Sequence, residues 1–225
     1  TAGKIPTVQG YAPLLLDVQL LATGAPHSAL TVRLFSALIG AAVVLLPYCA
    51  REWLGRHAAL AVAVFLALSP AWVYASRTAD GAIVSVGLGA LALVLAADCE
   101  SPRWPQRLCL AAAILGLALA AGPQVLTMLL AVAIVVPLFW AQGLQALRER
   151  WRSIRWTRMA LLLVVTWALA ATSGLLYPGG LGAAVDLMGD WFGSLTHPVA
   201  PWYQTLRALL VYEPLPILLA LYAVF

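Results

Sequence analysis

Charge is what this sequence has least of. Only 10% of its 225 residues are charged and 63% are hydrophobic, whereas soluble domains carry roughly 25% charged residues. With a mean hydropathy of +0.93, that shortfall argues against a water-soluble globular fold and for a polytopic membrane protein. Cysteine is scarce as well. Cys49, Cys99 and Cys109 form no CxxC pattern, which argues against both a disulfide framework and a thiolate metal site. His27, His57 and His197 all read as loop residues, so no histidine pair stands at helix centres to ligate haem or chlorophyll. A phosphate-cradling glycine loop, GxSxG and HExxH are all missing, which removes the common nucleotide, hydrolase and zinc-protease signatures. The net charge of +4 does not point to nucleic acid, because the basic residues form no stripe interleaved with aromatics.

What the chain does have is apolar runs separated by short polar loops. The reading is an all-α, polytopic transmembrane helix bundle of about seven spans, forming a single membrane domain over residues 1–225. Pro13 to Thr23 is apolar but only 11 residues long, about 16 Å as a helix and too short to cross a core of about 30 Å. It reads as an amphipathic helix in the interface, carrying Asp17 on its polar face. Spans are expected at Ser28–Ala50, Ala58 to about Tyr74 with its end near Pro70, Gly81–Ala97, Leu108–Ala121, Gln124–Trp140 and Met159–Tyr177. Another begins near Arg207 and is interrupted by Pro214 and Pro216. Pro102 and Pro105 are expected to stop helices on both sides of their loop. Within Pro178–Leu206, the residues Val185, Met188, Trp191, Phe192 and Leu195 recur at helical spacing opposite Asp186, Asp190 and Ser194, a second interfacial helix. Thr1 is not an initiator methionine and Phe225 ends an apolar run without a polar flank, so the expectation is a segment of a longer protein.

The loops assign an orientation. Those after the first, third and fifth spans hold Arg51, Arg56, Arg103, Arg107, Arg148, Arg150, Arg152, Arg155 and Arg158, nine of the 13 Lys and Arg residues. By the positive-inside rule these loops are cytoplasmic. Trp53, Trp104, Trp140, Trp151 and Trp156 then mark the inner interface, and Trp72, Trp191 and Trp202 the outer one. Both interfacial helices and the Arg77–Asp80 turn share the outer face of what reads as a prokaryotic plasma membrane. Small residues at four-residue spacing, Gly81, Ser85 and Gly89 on one helix and Ala112, Gly116 and Ala120 on another, predict close helix approach.

The stretch Leu66–Asp80, LALSPAWVYASRTAD, carries two charges between apolar spans, an arrangement that is costly near lipid and usually kept for function. Asp80 could take a proton from an acceptor hydroxyl or hold a divalent cation. It could equally be the N-cap of the helix starting at Gly81. Arg77 has the planar fork suited to a phosphate, or it could snorkel to the interface or pair with Asp80. Trp72 and Tyr74 read as belt aromatics, and Asp17 as a solvated residue or a substrate contact. Asp186 and Asp190 stand four apart on one helix face and could share a cation or simply face water. His197 and Glu213 are further polar residues on or near the outer side.

Taken together, the Leu54-Gly55-Arg56 turn, Leu68-Ser69-Pro70, the Tyr74–Arg77 run and Asp80 follow one another in a recognisable order. This order resembles the core of GT-C membrane glycosyltransferases, most of all the protein O-mannosyltransferase and aminoarabinose-transferase group (glycosyltransferase family thirty-nine). YAPLLLDVQLLATG upstream is similar to that family's juxtamembrane "PPL" or "HGPLL" helix, and GLALAAGP to its later "GLALLTKP" turn. The likeness runs over roughly Gln9 to Pro137. It implies transfer of a sugar from a polyprenyl-phosphate carrier to an acceptor on the outer face. Asp80 then matches an acidic catalytic position, and Arg77 a residue near the carrier phosphate, with Tyr74, Tyr11 and Asp17 as further substrate contacts. Tyr11 stands where the family has the histidine of "HGP", and Gly122 where it has the lysine of "TKP". The alternative is a catalytically idle bundle that packs against other membrane subunits, for instance in an energy-transducing assembly. Lipid and lipid-linked sugar are the partners in the first reading, other membrane proteins in the second.

Overall fold

The computed structural model describes residues 29–78, 81–97, 103–139, 154–176 and 178–196, together with the single positions Tyr203, Gln204, Arg207, Leu210, Val211 and Pro214. Among the described residues every regular element is helical. The helices are α1 (Ala29–Cys49), α2 (Arg51–Leu54), α3 (Arg56–Leu68), α4 (Pro70–Arg77), α5 (Gly81–Ala97), α6 (Trp104–Ala121), α7 (Gln124–Phe139), α8 (Trp156–Ala171) and α9 (Gly179–Thr196). The all-helical expectation holds. Helix α6 lies between α5 and α8, α5 in turn carries α1 and α7, and α1 holds α3 and α4.

The small-residue rows do what their spacing predicts. A Cβ on Gly89 would sit 2.5 Å from the Met128 methyl and 2.7 Å from Val125, so α5 meets α7 there. A Cβ on Gly116 would strike Thr166 Oγ1 and come within 2.5 Å of the Leu163 carbonyl, so α6 and α8 touch almost backbone to backbone. With no water to be expelled from lipid, such close packing is what holds helices together in a membrane.

Breaks between helices follow local chemistry. Gly55 joins α2 to α3 at φ +84° and ψ 151°, a conformation that a side chain makes costly. Helix α3 does not simply end near Pro70. Ser69 leaves it with extended backbone and caps α4, accepting the Trp72 N–H at 3.2 Å, and Pro70 occupies the first turn of α4, where its missing N–H costs nothing. The two helices meet at a bend of 59°. Pro105 likewise lies in the first turn of α6, so that helix begins at Trp104 rather than at Leu108, four residues earlier than the prolines alone suggest. Helix α8 stops at Ala171, short of Tyr177. Ser173 turns left-handed at φ 53° while Gly174 N–H reaches back to the Leu169 carbonyl at 2.8 Å, a Schellman-type closure of the last turn.

The expectation of about seven spans goes beyond what helix length and composition show. Among the described residues one helix, Trp104–Ala121, is by itself long and apolar enough to cross a membrane, or two segments if the bent α3–α4 pair is taken as one. Leu34–Cys49, Gly81–Ala97, Gln124–Pro137 and Trp156–Ala171 are shorter apolar helices. Sixteen residues make about 24 Å of helix, less than the hydrocarbon thickness of about 30 Å.

Candidate functional site

The stretch that carries Arg77 is built on a small, tightly packed base. Ile83, Val84 and Ala121 are almost fully buried together, with Phe35, Ile39, Trp72 and Ala75 packed around them. Four helices, α1, α4, α5 and α6, therefore meet beneath the turn between α4 and α5. Helix α4 is fixed to α1 by two devices. Trp72 donates its indole N–H to the Gly40 carbonyl at 3.2 Å, and Gly40 has no room for a side chain, since its Cβ would lie 2.6 Å from Ser76 Cβ. Trp72 is thus a half-buried clamp between α4 and α1, a role that its amphipathic ring suits. At the end of α4, the Thr78 N–H donates to the Tyr74 carbonyl at 3.2 Å and its hydroxyl donates to the Ala75 carbonyl at 2.9 Å.

Arg77 and Tyr74 both emerge exposed from this base, Tyr74 at 73%. Asp80, Tyr11, Asp17, His197 and Glu213 lie outside the described residues.

A second polar element faces the same core. Ser85, fully buried, donates its hydroxyl to the Gly122 carbonyl at 2.6 Å and accepts the Val125 N–H at 3.1 Å. One side chain thus ties the first turns of α5 to the Gly122-Pro123 break and to the start of α7. Its sequence signal is slight, a hydroxyl within a row of glycines, and only the fold reveals the partner. Gly122 is itself buried, and a Cβ there would strike Gln124 Oε1 and approach Ser85 Cβ to 3.6 Å. A lysine of the kind that the glycosyltransferase turn carries would not fit unless Gln124 moved. Gln124 Oε1 and the hydroxyl of Ser36, next to Phe35, are buried without a hydrogen-bond partner. Buried polar atoms are rarely left so.

Other sequence candidates fall away from this base. Asp186 and Asp190 are exposed on α9, and among the described residues no three His, Cys, Asp or Glu side chains come together as a metal site would need. Helix α9 exists, as the spacing predicts, and turns Gly180 and Ala184 inward while Val185, Phe192 and Leu195 stay exposed. Its Trp191 donates to Thr127 Oγ1 of α7 at 2.8 Å. Trp104 does not mark an interface: only 2% of it is exposed, and it donates to the Ala96 carbonyl at the end of α5.

No curated protein and no solved structure matches the chain. A family model described as a predicted membrane protein, DUF2142, matches residues 4–215. That span covers nearly the whole sequence, and the chain belongs to this family of membrane proteins.

Proposed function

We propose that this membrane protein is a GT-C-type transferase that moves a sugar from a polyprenyl-phosphate carrier to an acceptor, with its site at the turn between α4 and α5. The observation that carries the reading is the convergence of two motif-bearing stretches far apart in sequence. Trp72 and Ala75 of the Ser69–Arg77 stretch pack on the core that contains Ala121, and Ser85 of α5 binds the carbonyl of the adjoining Gly122. In this reading the acceptor hydroxyl attacks the anomeric carbon, the carbon–oxygen bond to the carrier phosphate breaks, and the proton passes to the Asp80 carboxylate. The phosphate leaves on the lipid, held by the Arg77 guanidinium. With glycine rather than lysine at position 122, Arg77 is the phosphate contact on which the site depends.

The proposal includes the membrane arrangement. The apolar helices act as crossings totalling about seven, with the segment after Arg207 among them, and the Arg77 turn faces outward from a prokaryotic plasma membrane. Labelling of single cysteines placed at Arg77 and at Arg158 in intact cells, in a chain freed of its native cysteines, is expected to mark the first and spare the second. Transfer itself is tested in reconstituted vesicles supplied with a polyprenyl-phosphate sugar. Asp80→Asn is expected to abolish turnover, and Arg77→Gln to raise KM for the carrier about tenfold, as loss of a charge-assisted contact does. Undiminished turnover in Asp80→Asn sinks the assignment.

The accessory-subunit reading is less well supported. Small-residue helix faces would serve such packing against other subunits, but Gly89 and Gly116 are consumed by contacts within the chain. If the purified chain is a monomer in mild detergent and nothing accompanies it, that alternative fails.

A further inference from the structure

We propose that the groove between α1, α2 and α3 is a binding site for an anionic phospholipid. The cleft has a volume of about 760 Å³ and lies at the opposite end of α3 from the Arg77 turn. Its walls are Val44 of α1 and Leu60 of α3, and its polar end is made by Tyr48, Arg51, Glu52 and Arg56.

The chemistry is that of an amphiphile with a negative head. Arg51 is laid over the Tyr48 ring, its guanidinium carbon 4.2 Å from the ring centroid. A cation stacked this way keeps its N–H edge free for an oxyanion. Arg56 opens α3, whose N-terminus has only Gly55 before it and no side-chain cap, so unsatisfied backbone N–H groups add to the positive field there. Glu52 is the single carboxylate on the lining. Two arginines, Arg51 and Arg56, share the lining with it, and among the described residues neither is in an ion pair with a carboxylate.

The apolar walls begin within two helical turns of these charges and run along α1 and α3. A phosphate at the arginines would therefore leave its acyl chains against Val44 and Leu60. Basic pockets between helices at the membrane surface recognise anionic lipid headgroups on these terms. A soluble phosphate would use only the polar end and leave the walls uncovered, so the lipid is the occupant that satisfies both halves. The site rests on the membrane nature of the family and not on the transferase reading; it survives if no sugar is transferred.

The test is native mass spectrometry of the full chain in mild detergent, titrated with phosphatidylglycerol or with phosphatidylcholine. Wild type is expected to retain phosphatidylglycerol at roughly thirtyfold lower lipid concentration, the effect of two favourable charges near a headgroup. The double variant Arg51→Gln/Arg56→Gln should lose that preference while Arg158→Gln, which removes a like charge elsewhere, keeps it. Ala63→Trp, which fills the groove from α3, should lower retention of both lipids and guards against a charge variant that fails to fold. A wild-type chain that retains the two lipids equally overturns the proposal. So does a folded double variant that keeps the preference, inorganic phosphate that displaces the lipid at millimolar concentration, or a dimer in which a second copy of the chain excludes it.

Discussion

Helix α3 ends in two different ways, and the contrast organises the molecule. At its Ser69 end the chain is closed. Ser69 is buried and serves as a cap, Trp72 reaches across to α1, and Gly40 and Ser76 leave no space between them. At its Arg56 end the chain is open. A Cβ on Gly55 would meet nothing within 4 Å, no side chain caps the helix, and both arginines are exposed. Shape decides what can happen at the first end and charge at the second. Substitutions at the closed end should appear as lost stability, and those at the open end as altered binding with the fold intact.

The sharpest way to break this contrast is Gly40→Leu. The added atoms would fall on Ser76 with no free volume beside it, and overpacking of this kind costs about 3 kcal/mol. SDS-driven unfolding in mild detergent, followed by far-UV circular dichroism, should show the loss; an unchanged midpoint would mean that α4 is not clamped. Ser85→Ala is next. It strips the Val125 N–H and the Gly122 carbonyl of a buried partner and should cost about 2 kcal/mol, while hydrogen exchange at Val125 quickens. Protection at Val125 equal to wild type would count against the clasp. Trp72→Phe keeps an aromatic ring but loses the pyrrole half and its hydrogen bond to Gly40, for about 1 kcal/mol from the bond alone, read in the same unfolding titration. Tyr48→Leu at the open end is the smallest. It removes the ring under Arg51 yet should shift stability by less than about 0.5 kcal/mol. A loss as large as that of Trp72→Phe would erase the distinction between the ends.

Much of the fold was legible from local pattern. The bounds of α1, α5 and α7 follow from apolar runs and from Gly and Pro punctuation, and the rows containing Gly89 and Gly116 announce close approach because nothing else fits there. What escaped depends on partners distant in sequence. Trp72 and Trp104 look alike in sequence, as aromatics near loops, and each is assigned only by a carbonyl on another helix, at Gly40 and at Ala96. Ser85 reads as a small packing residue until the Gly122 carbonyl, 37 residues away, is brought to it. The early end of α8 could not be read from hydropathy, because Leu175 and Leu176 continue the apolar pattern while Ser173 and Leu175 take left-handed backbone. Of the site residues, Arg77 and Tyr74 are found together on an exposed turn, whereas Asp80, Tyr11 and Asp17 lie outside the described residues.

The 59° bend at Ser69 also fixes how far this part of the chain can reach. Helices α3 and α4 have 13 and 8 residues, about 20 Å and 12 Å of axis. Laid straight they would extend about 32 Å, enough to carry Arg77 clear of a hydrocarbon layer of about 30 Å. Bent, α4 adds only about 6 Å along the axis of α3, and the pair stops near 26 Å. The bend therefore shortens the reach of the pair by about one helical turn, and it sets the direction in which α4 presents Arg77.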